Sequence, residues 1–275
     1  MLNKLAFAIS FGLSFVVLVV SPQVSQAVSL DKGQLSVRQE FHLHQFSGYW
    51  NDTKTSALGS SVAIYGTTFN GSWGFAEGWQ GDFRLGFSAS SFGNDSRSAF
   101  SELGGRVYKN LVSAEGEGEL GLDVSLGLRL PGTEFNQGNR VNALTDGVAR
   151  VEAGAHLASG YSSWAWGVDF RYAYRLGDPD DQIGANGYIG YALSERLSLG
   201  PVASILTTLG GISVSEASAQ GGLFSDLAEQ HLGLGAFANI GLLETVGVSA
   251  NVISKVVGQN TDQGISLGLA VNISF

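Results

Sequence analysis

The twelve residues GISLGLAVNISF, Gly264–Phe275, alternate without a break between apolar side chains and small or polar ones. The apolar set consists of Ile265, Leu267, Leu269, Val271, Ile273 and Phe275. Because successive side chains of a strand point to opposite sides, this stretch predicts a ribbon with one apolar face and one small, polar face. Its length matches the about 9–11 residues that a tilted strand needs to cross a membrane.

The same stretch is the last of the chain, and it ends on the aromatic residue Phe275. It resembles the terminal strand of bacterial outer-membrane β-barrels, which the barrel-assembly machinery reads. The resemblance implies an outer-membrane location, contact with membrane lipid, and the assembly machinery as a partner. A half-buried strand of a soluble sheet would show the same alternation, so the rest of the chain has to decide between the two.

The first residues predict a secretory signal peptide. Lys4 precedes an apolar run over 5–20, and Ser25 and Ala27 occupy the small-residue positions of a cleavage site. This order is typical of signal peptides, with a transmembrane anchor as the alternative. We therefore expect a signal peptide at 1–27 and one barrel domain at 28–275.

Composition excludes several classes of protein. Hydrophobic residues make up 44% of the chain, yet no stretch after the first apolar run approaches the 18 continuous apolar residues of a membrane helix. The 39 glycines, 4 prolines and 11% aromatic residues favour many strands joined by turns. A net charge of −9 without a basic cluster argues against nucleic acid as a partner. The absence of cysteine excludes disulfides and a lipid-anchored N-terminus.

Alternation recurs along the chain. It is clearest in LGLDVSLGLRL, 120–130, where every second residue is leucine or valine, and in WAWGVDFRYAY, 164–174. We predict an all-β protein, a transmembrane antiparallel up-and-down barrel of twelve strands. The strands are expected near 35–46, 60–69, 72–89, 99–110, 119–130, 147–158, 164–175, 183–193, 197–206, 229–242, 245–253 and 264–275.

The predicted connections alternate in length, which is how a bacterial barrel sits in its membrane. Those after odd-numbered strands are long and polar, around 47–59, 90–98, 131–146, 176–182, 207–228 and 254–263. Those after even-numbered strands are mostly tight, as at Asn70-Gly71 and Ser194-Glu195-Arg196, with 111–118 as the exception. Aromatic residues near strand ends are expected to form the girdles at the membrane interfaces, namely Trp79, Trp164, Trp166, Tyr172, Tyr174 and Tyr191.

The inward faces of these strands carry the candidate functional residues. The predicted lumen-lining set is Arg38, Glu40, His42, Asp82, Arg84, Asp123, Arg129, Arg150, Glu152, Asp169, Arg171 and Arg175. Acids and bases alternate along it, so neighbouring strands can form a ladder of ion pairs. Such a ladder either lines a narrow pore or only stiffens a plugged barrel. Twelve strands lie between the eight that side chains fill and the 16–18 of open channels.

Enzymatic readings rest on weak patterns. His156 and Ser159 stand three residues apart, which places them on opposite faces of a strand. His42 and His44 share an inward face but have no clear third metal ligand. We therefore predict no catalytic residue, no metal and no cofactor. A lipid-modifying enzyme is the least favoured alternative to a channel.

Two stretches resemble one family. The strand exit Gly127-Leu128-Arg129-Leu130-Pro131-Gly132 and the hairpin YALSERLSLG at 191–200 are similar to outer-membrane barrels of the MetA pathway of phenol degradation. The resemblance implies a channel or transporter for small solutes, of an apolar or aromatic kind. It assigns no binding residue, and a structural or surface-interaction barrel with a plugged lumen stays as the alternative.

Overall fold

A computed structural model describes residues 30–51, 54–114, 116–132, 148–177, 180–211, 213 and 227–275. The predicted signal peptide, 1–27, lies outside these residues. The strands are β1 Leu35–Asn51, β2 Lys54–Ala76, β3 Trp79–Phe92, β4 Asp95–Val112, β5 Leu120–Pro131, β6 Arg150–Tyr161, β7 Trp164–Arg175, β8 Gln182–Ser194, β9 Leu197–Thr208, β10 Gln230–Gly241, β11 Val246–Gln259 and β12 Thr261–Ser274. Nowhere in the described ranges is there a helix of the length and apolar character needed to cross a membrane.

The twelve strands form a closed antiparallel barrel, which confirms the predicted fold class and strand number. Each strand pairs with the next, and β12 pairs with β1 from Ser36 opposite Ser274 to Trp50 opposite Thr261. Closure pairs both edges of each of the twelve described strands, as a membrane requires, because hydrocarbon offers no partner for a free N–H or C=O group.

The two faces of each strand differ in chemistry as predicted. On β5, Leu126 is 62% exposed on the outside of the barrel, whereas its inward neighbour Asp123 is 1% exposed. On β7, Phe170 is exposed outside, while Arg175 on the inward face is buried. An outer wall of exposed leucine, phenylalanine and valine is unfavourable in water and suits lipid.

Aromatic residues occupy the ends of the outer wall. Trp164 begins β7 and its ring centroid lies 4.8 Å from that of Tyr191 near the end of β8. Tyr172 and Tyr174 lie at the other end of β7, and both are exposed. These positions correspond to the two interfacial girdles of a membrane barrel.

The two ends of the barrel carry different connections. At the end that we call the turn rim, the even-numbered strands are followed by 77–78, 113–119, 162–163, 195–196 and 242–245. At the opposite end, the loop rim, the odd-numbered strands are followed by 52–53, 93–94, 132–149, 176–181, 209–229 and Asn260. The predicted loop 131–146 falls almost entirely outside the described residues.

The predicted turn at Asn70-Gly71 is wrong. Both residues lie inside β2, where Asn70 pairs with Arg38 of β1 and with Arg84 of β3. The turn is at Glu77-Gly78, where Gly78 has a φ of +64°. Asn-Gly is a strong local hairpin signal. Here strands on both sides pair across it and override the local preference.

The predicted long loops at 47–59, 90–98 and 254–263 are also wrong. The chain there continues as paired strand, so that Asn51 pairs with Lys54 and Phe92 with Asp95, and only Asn260 separates β11 from β12. These polar segments lack a clean alternation because a strand that has left the lipid no longer needs one apolar face. The loop rim therefore carries tall hairpins as well as longer connections.

Candidate functional site

The interior of the barrel is divided into two arcs. The charged arc comprises inward residues of β1 and β3–β7: Arg38, Glu40, Asp82, Arg84, Glu102, Arg106, Asp123, Arg129, Arg150, Glu152, Asp169, Arg171 and Arg175. The neutral arc comprises inward residues of β8–β11 below the loop rim: Gly184, Asn186, Tyr188, Gly190, Ser198, Gly200, Val202, Ser204, Leu206, Gly233, Gly235, Phe237, Asn239, Ser249, Asn251 and Ile253. His231 and Lys255 share this inward face at the loop-rim ends of β10 and β11. Below the loop rim, charge is thus concentrated on one side of the lumen.

Glu152 on β6 is the centre of the charged arc. Its side chain is 3% exposed and lies among four guanidinium groups. Arg106 binds Oε2, while the distances to Oε1 are 3.6 Å from Arg129 Nε, 3.3 Å from Arg150 Nε and 3.9 Å from Arg171 Nη1. One carboxylate therefore holds side chains from four neighbouring strands, β4 to β7.

A second carboxylate extends this arrangement to β3. Glu102 of β4 binds the Nε of Arg84, and its Oε2 lies 3.3 Å from Arg129 Nη1. We call Arg84, Arg106, Arg129, Arg150 and Arg171 the arginine cluster. Within the described part of the chain, Glu102 and Glu152 are the carboxylates in ion-pair contact with these five guanidinium groups. In these contacts, five guanidinium groups surround two carboxylates.

A cavity of about 210 Å³ opens beside the cluster. Its lining includes Arg38, Asp82, Arg84, Arg106 and Tyr108. Arg106 Nη1 donates to the hydroxyl of Tyr108 at 3.3 Å, and its guanidinium carbon lies 5.8 Å from the centre of that ring. Those two contacts hold Arg106 along the wall.

A separate polar group lies closer to the turn rim. His156 Nδ1 is 2.7 Å from Asp169 Oδ1, and Asp123 accepts a hydrogen bond of 2.9 Å from Asn110 Nδ2. The expected ladder is therefore a cluster around Glu152 together with a neighbouring His–Asp pair.

The loop rim has its own network between β10, β11, β12 and β1. Lys255 Nζ lies 2.6 Å from Asp262 Oδ2 and 3.5 Å from Glu229 Oε1, while Thr261 donates to Glu229 at 2.6 Å. Glu229 precedes β10, outside the spanning strands. Burial alone would raise the pKa of Glu229, but the hydrogen bond from His231, the charge of Lys255 and the Thr261 hydroxyl lower it to about 2.

All twelve predicted lining residues lie on inward faces. The structure brings eight of them into the arginine cluster, its carboxylates or the cavity lining: Arg38, Glu40, Asp82, Arg84, Arg129, Arg150, Glu152 and Arg171. Glu40 binds Arg38, with 2.7 Å between Arg38 Nε and Glu40 Oε1. Asp123 and Asp169 belong to the group around His156. Arg175 is buried near the loop rim, where its Nη1 donates to the Asp180 carbonyl.

Sequence reasoning missed Glu102, Arg106 and Tyr108. They alternate with Leu103, Gly105 and Val107, a signal that is present in the sequence. An irregularity interrupts the pairing of β3 and β4 at Gly86 and Phe87, so that Gly86 pairs with Glu102 but Phe87 with Phe100. The extra residue, Ser101, shifts the phase and obscures the pattern at the start of β4.

The structure keeps apart His156 and Ser159, the two residues considered as a catalytic pair. His156 faces the interior opposite Asp123, whereas Ser159 pairs with Trp166 on the outer wall. His44 Nε2 lies 2.8 Å from Asp262 Oδ1, and its Nδ1 lies 2.9 Å from Ser266 Oγ. The described ranges contain no group of three His, Cys, Asp or Glu side chains that could hold a metal ion.

Solved structures share this architecture. A crystal structure of an outer membrane channel from Pseudomonas putida F1 is 12% identical, with a TM-score of 0.72, covering 93% of this chain and 100% of that one. The NanC porin is 9% identical with a TM-score of 0.51, covering 87% of this chain and 98% of that one. Neither a protein-family model nor a curated protein sequence matches the chain. These likenesses establish the fold, and with the apolar outer wall they place the barrel in the outer membrane.

Proposed function

We propose that this protein is an outer-membrane channel for small solutes and that its arginine cluster makes it favour anions. The proposal rests on which charged side chains are exposed to the interior of the barrel. The side chains of Arg84 and Arg171 are 36% and 37% exposed, whereas those of Glu102 and Glu152 are 17% and 3% exposed. At the arginine cluster a solute therefore meets guanidinium groups with Glu102 and Glu152 behind them, whereas nearer the turn rim it also meets Asp169, whose side chain is 53% exposed.

Selectivity follows from this layering. A pore lined by one sign of charge concentrates ions of the opposite sign, and low-dielectric walls strengthen the effect. Glu102 and Glu152 keep the arginines in place and reduce their mutual repulsion while presenting little negative charge to the path. The resemblance to the MetA-pathway barrels adds apolar or aromatic compounds as candidate solutes, and the neutral arc is the part of the lumen that suits them.

The proposal includes an orientation and two partners. The turn rim, where Leu35 and Phe275 bond to each other's backbone, faces the periplasm, and the loop rim faces the outside of the cell. The outer wall contacts lipid, and β12 is read by the barrel-assembly machinery during insertion. No enzymatic activity is proposed.

A plugged structural barrel is the second candidate, and one observation favours it. The side chains around Glu152 join four strands across part of the interior, as expected of a core that stiffens the wall. The two functions predict different consequences when the arginines lose their charge. A lining arginine sets selectivity, whereas a purely structural one leaves a buried carboxylate uncompensated and destabilises the fold.

The test is conductance of the purified protein in planar bilayers, with reversal potentials in a potassium chloride gradient. We expect wild type to favour chloride, and Arg150→Gln with Arg171→Gln to move the preference toward potassium. Arg196→Gln, in an exposed turn at the turn rim, removes a positive charge outside the lumen and serves as control. Absent conductance, or lost stability with unchanged selectivity, would favour the plugged barrel.

A further inference from the structure

Two aromatic side chains face the interior on the neutral arc. Tyr188 of β8 and Phe237 of β10 contact each other edge to face, with ring centroids 5.7 Å apart and planes at 83°. Both side chains are partly exposed inside the barrel. The pair forms an aromatic surface in a wall otherwise made of glycine, small polar residues and the aliphatic residues Val202, Leu206 and Ile253.

Glycines allow these rings to lie against the wall. A Cβ on Gly167 would come within 2.5 Å of the Tyr188 ring, and one on Gly190 within 3.2 Å of the Phe237 ring. Any larger residue at Gly167 would push the tyrosine toward the centre of the lumen. The glycines therefore keep the path open while presenting the rings to it.

The register places the aromatic pair on the turn-rim side of the arginine cluster, with Tyr188 about 13 Å along β8 from the residue that pairs with Arg171. Arg171 pairs with Gly184, and four residues further toward the turn rim along β7, Gly167 pairs with Tyr188. Because the strands of a barrel are tilted, residues paired across neighbouring strands lie at different heights along the barrel axis. Twelve strands give a backbone diameter of about 24 Å, which leaves on the order of 10 Å between long side chains on opposite walls.

We infer that the lumen binds aromatic carboxylates, with the carboxylate on the arginine cluster and the ring on Tyr188 and Phe237. This inference rests on the proposed channel function and names its solute class. A guanidinium binds a carboxylate through paired, charge-assisted hydrogen bonds. An aromatic ring packs edge to face or offset on Tyr and Phe, which is worth a factor of about 2–10 in affinity beyond apolar contact.

Neither the charged arc nor the neutral arc alone would distinguish solutes as well as the two arcs together. The arginine cluster accepts any small anion, and the aromatic pair accepts any apolar solute. Only a molecule with a charged group at one end and a flat ring at the other contacts both walls at once. Benzoate has this form, cyclohexanecarboxylate has the charge and size without the aromatic face, and benzyl alcohol has the ring without the charge.

The test measures how each compound reduces the chloride current of the purified protein in planar bilayers. We expect benzoate to bind about 2–10-fold more tightly than cyclohexanecarboxylate, and benzyl alcohol to give no saturable block. Replacing both rings, Tyr188→Leu with Phe237→Leu, is expected to abolish the preference for benzoate. Tyr188→Phe, which keeps the ring, is expected to retain it.

The outcomes separate this inference from the channel proposal. A chloride-selective channel that binds the two carboxylates equally, or whose benzoate preference survives the leucine double variant, overturns the inference and leaves the channel standing. A protein that conducts without preferring anions, or does not conduct, overturns the proposed function and the inference with it. Heat-modified gel migration of each variant establishes that its barrel is folded.

Discussion

Replacing Glu152 with glutamine removes the negative charge on which the arginine cluster converges. The amide has nearly the same shape as the carboxylate, so the change is electrostatic. Arg106, Arg129, Arg150 and Arg171 would then face one another around a neutral group. We expect Glu152→Gln to lower the free energy of unfolding and to strengthen the preference of the channel for anions.

The size of the effect follows from the distances. At 3.3–3.9 Å and an effective dielectric constant near 20, each charge pair contributes a gross attraction of about 4–5 kcal/mol. Desolvation offsets much of this, and breaking a buried pair costs about 3–5 kcal/mol net. The arginine side chains keep 18–37% of their surface exposed, which screens them. We therefore expect a loss of about 3 kcal/mol, at the lower end of the range.

Two measurements check this prediction. Urea unfolding in lipid vesicles, followed by tryptophan fluorescence, gives the change in stability, and reversal potentials give the change in selectivity. Adding Arg150→Gln to Glu152→Gln removes one repelling charge and is expected to restore about 1–2 kcal/mol. If Glu152→Gln leaves both the stability and the reversal potential unchanged, Glu152 does not organise the cluster and our account of the site fails.

Three further predictions concern the wall, the topology and the loop rim. Leu126→Arg places a charge on the outer wall in the middle of β5 and is expected to lower the free energy of unfolding in vesicles by about 2–4 kcal/mol. Leu120→Arg, at the strand end, is expected to lower it by about 0–1 kcal/mol. Equal losses from the two variants would contradict the outward face of Leu126. A tag inserted within 209–228 is expected to bind antibody on intact cells and one at Glu195 is not, so the reverse labelling would invert the barrel. Because the folded-state pKa of Glu229 is depressed to about 2 from 4.5, its stabilising contribution is present above about pH 4.5 and is lost as the pH falls toward 2. Acid unfolding of Glu229→Gln should lack that part of the pH dependence.

The fold was predictable because membrane strands must obey a simple pattern. From Leu120 to Leu130 every second residue faces lipid, and the structure reproduces those faces. The prediction failed where the strands leave the lipid and no longer need this alternation. The segments 47–59 and 254–263 lack a regular alternation of apolar and polar residues, as at the adjacent Val256 and Val257, so only the pairing of distant strands shows that they are strands. Asn70-Gly71 misled because a local turn preference is weaker than pairing on both sides.

Sequence alternation identified several of the residues that the structure brings together, but not their arrangement. Alternation identifies Arg129, Arg150 and Arg171 as inward residues. It contains no information on which carboxylate they share, because that depends on the register of β4 to β7. The contribution of Arg106 was hidden by the irregular pairing near Ser101. The division of the lumen into two arcs is visible only after the strands are placed around a circle.

The pairing of β1 with β12, which we call the seam, closes the barrel and constrains how the protein folds into the membrane. It joins residues as far apart as Ser36 and Asn272, 236 positions along the chain. Closing so long a loop costs about 2 kcal/mol more in chain entropy than closing a hairpin, and pairing along the whole seam repays that cost only when it completes. We expect the seam to form late in insertion, after the neighbouring hairpins. A chain arrested before that step would be an open sheet whose β1 and β12 edges have unpaired N–H and C=O groups. These edges could pair with the edges of another copy.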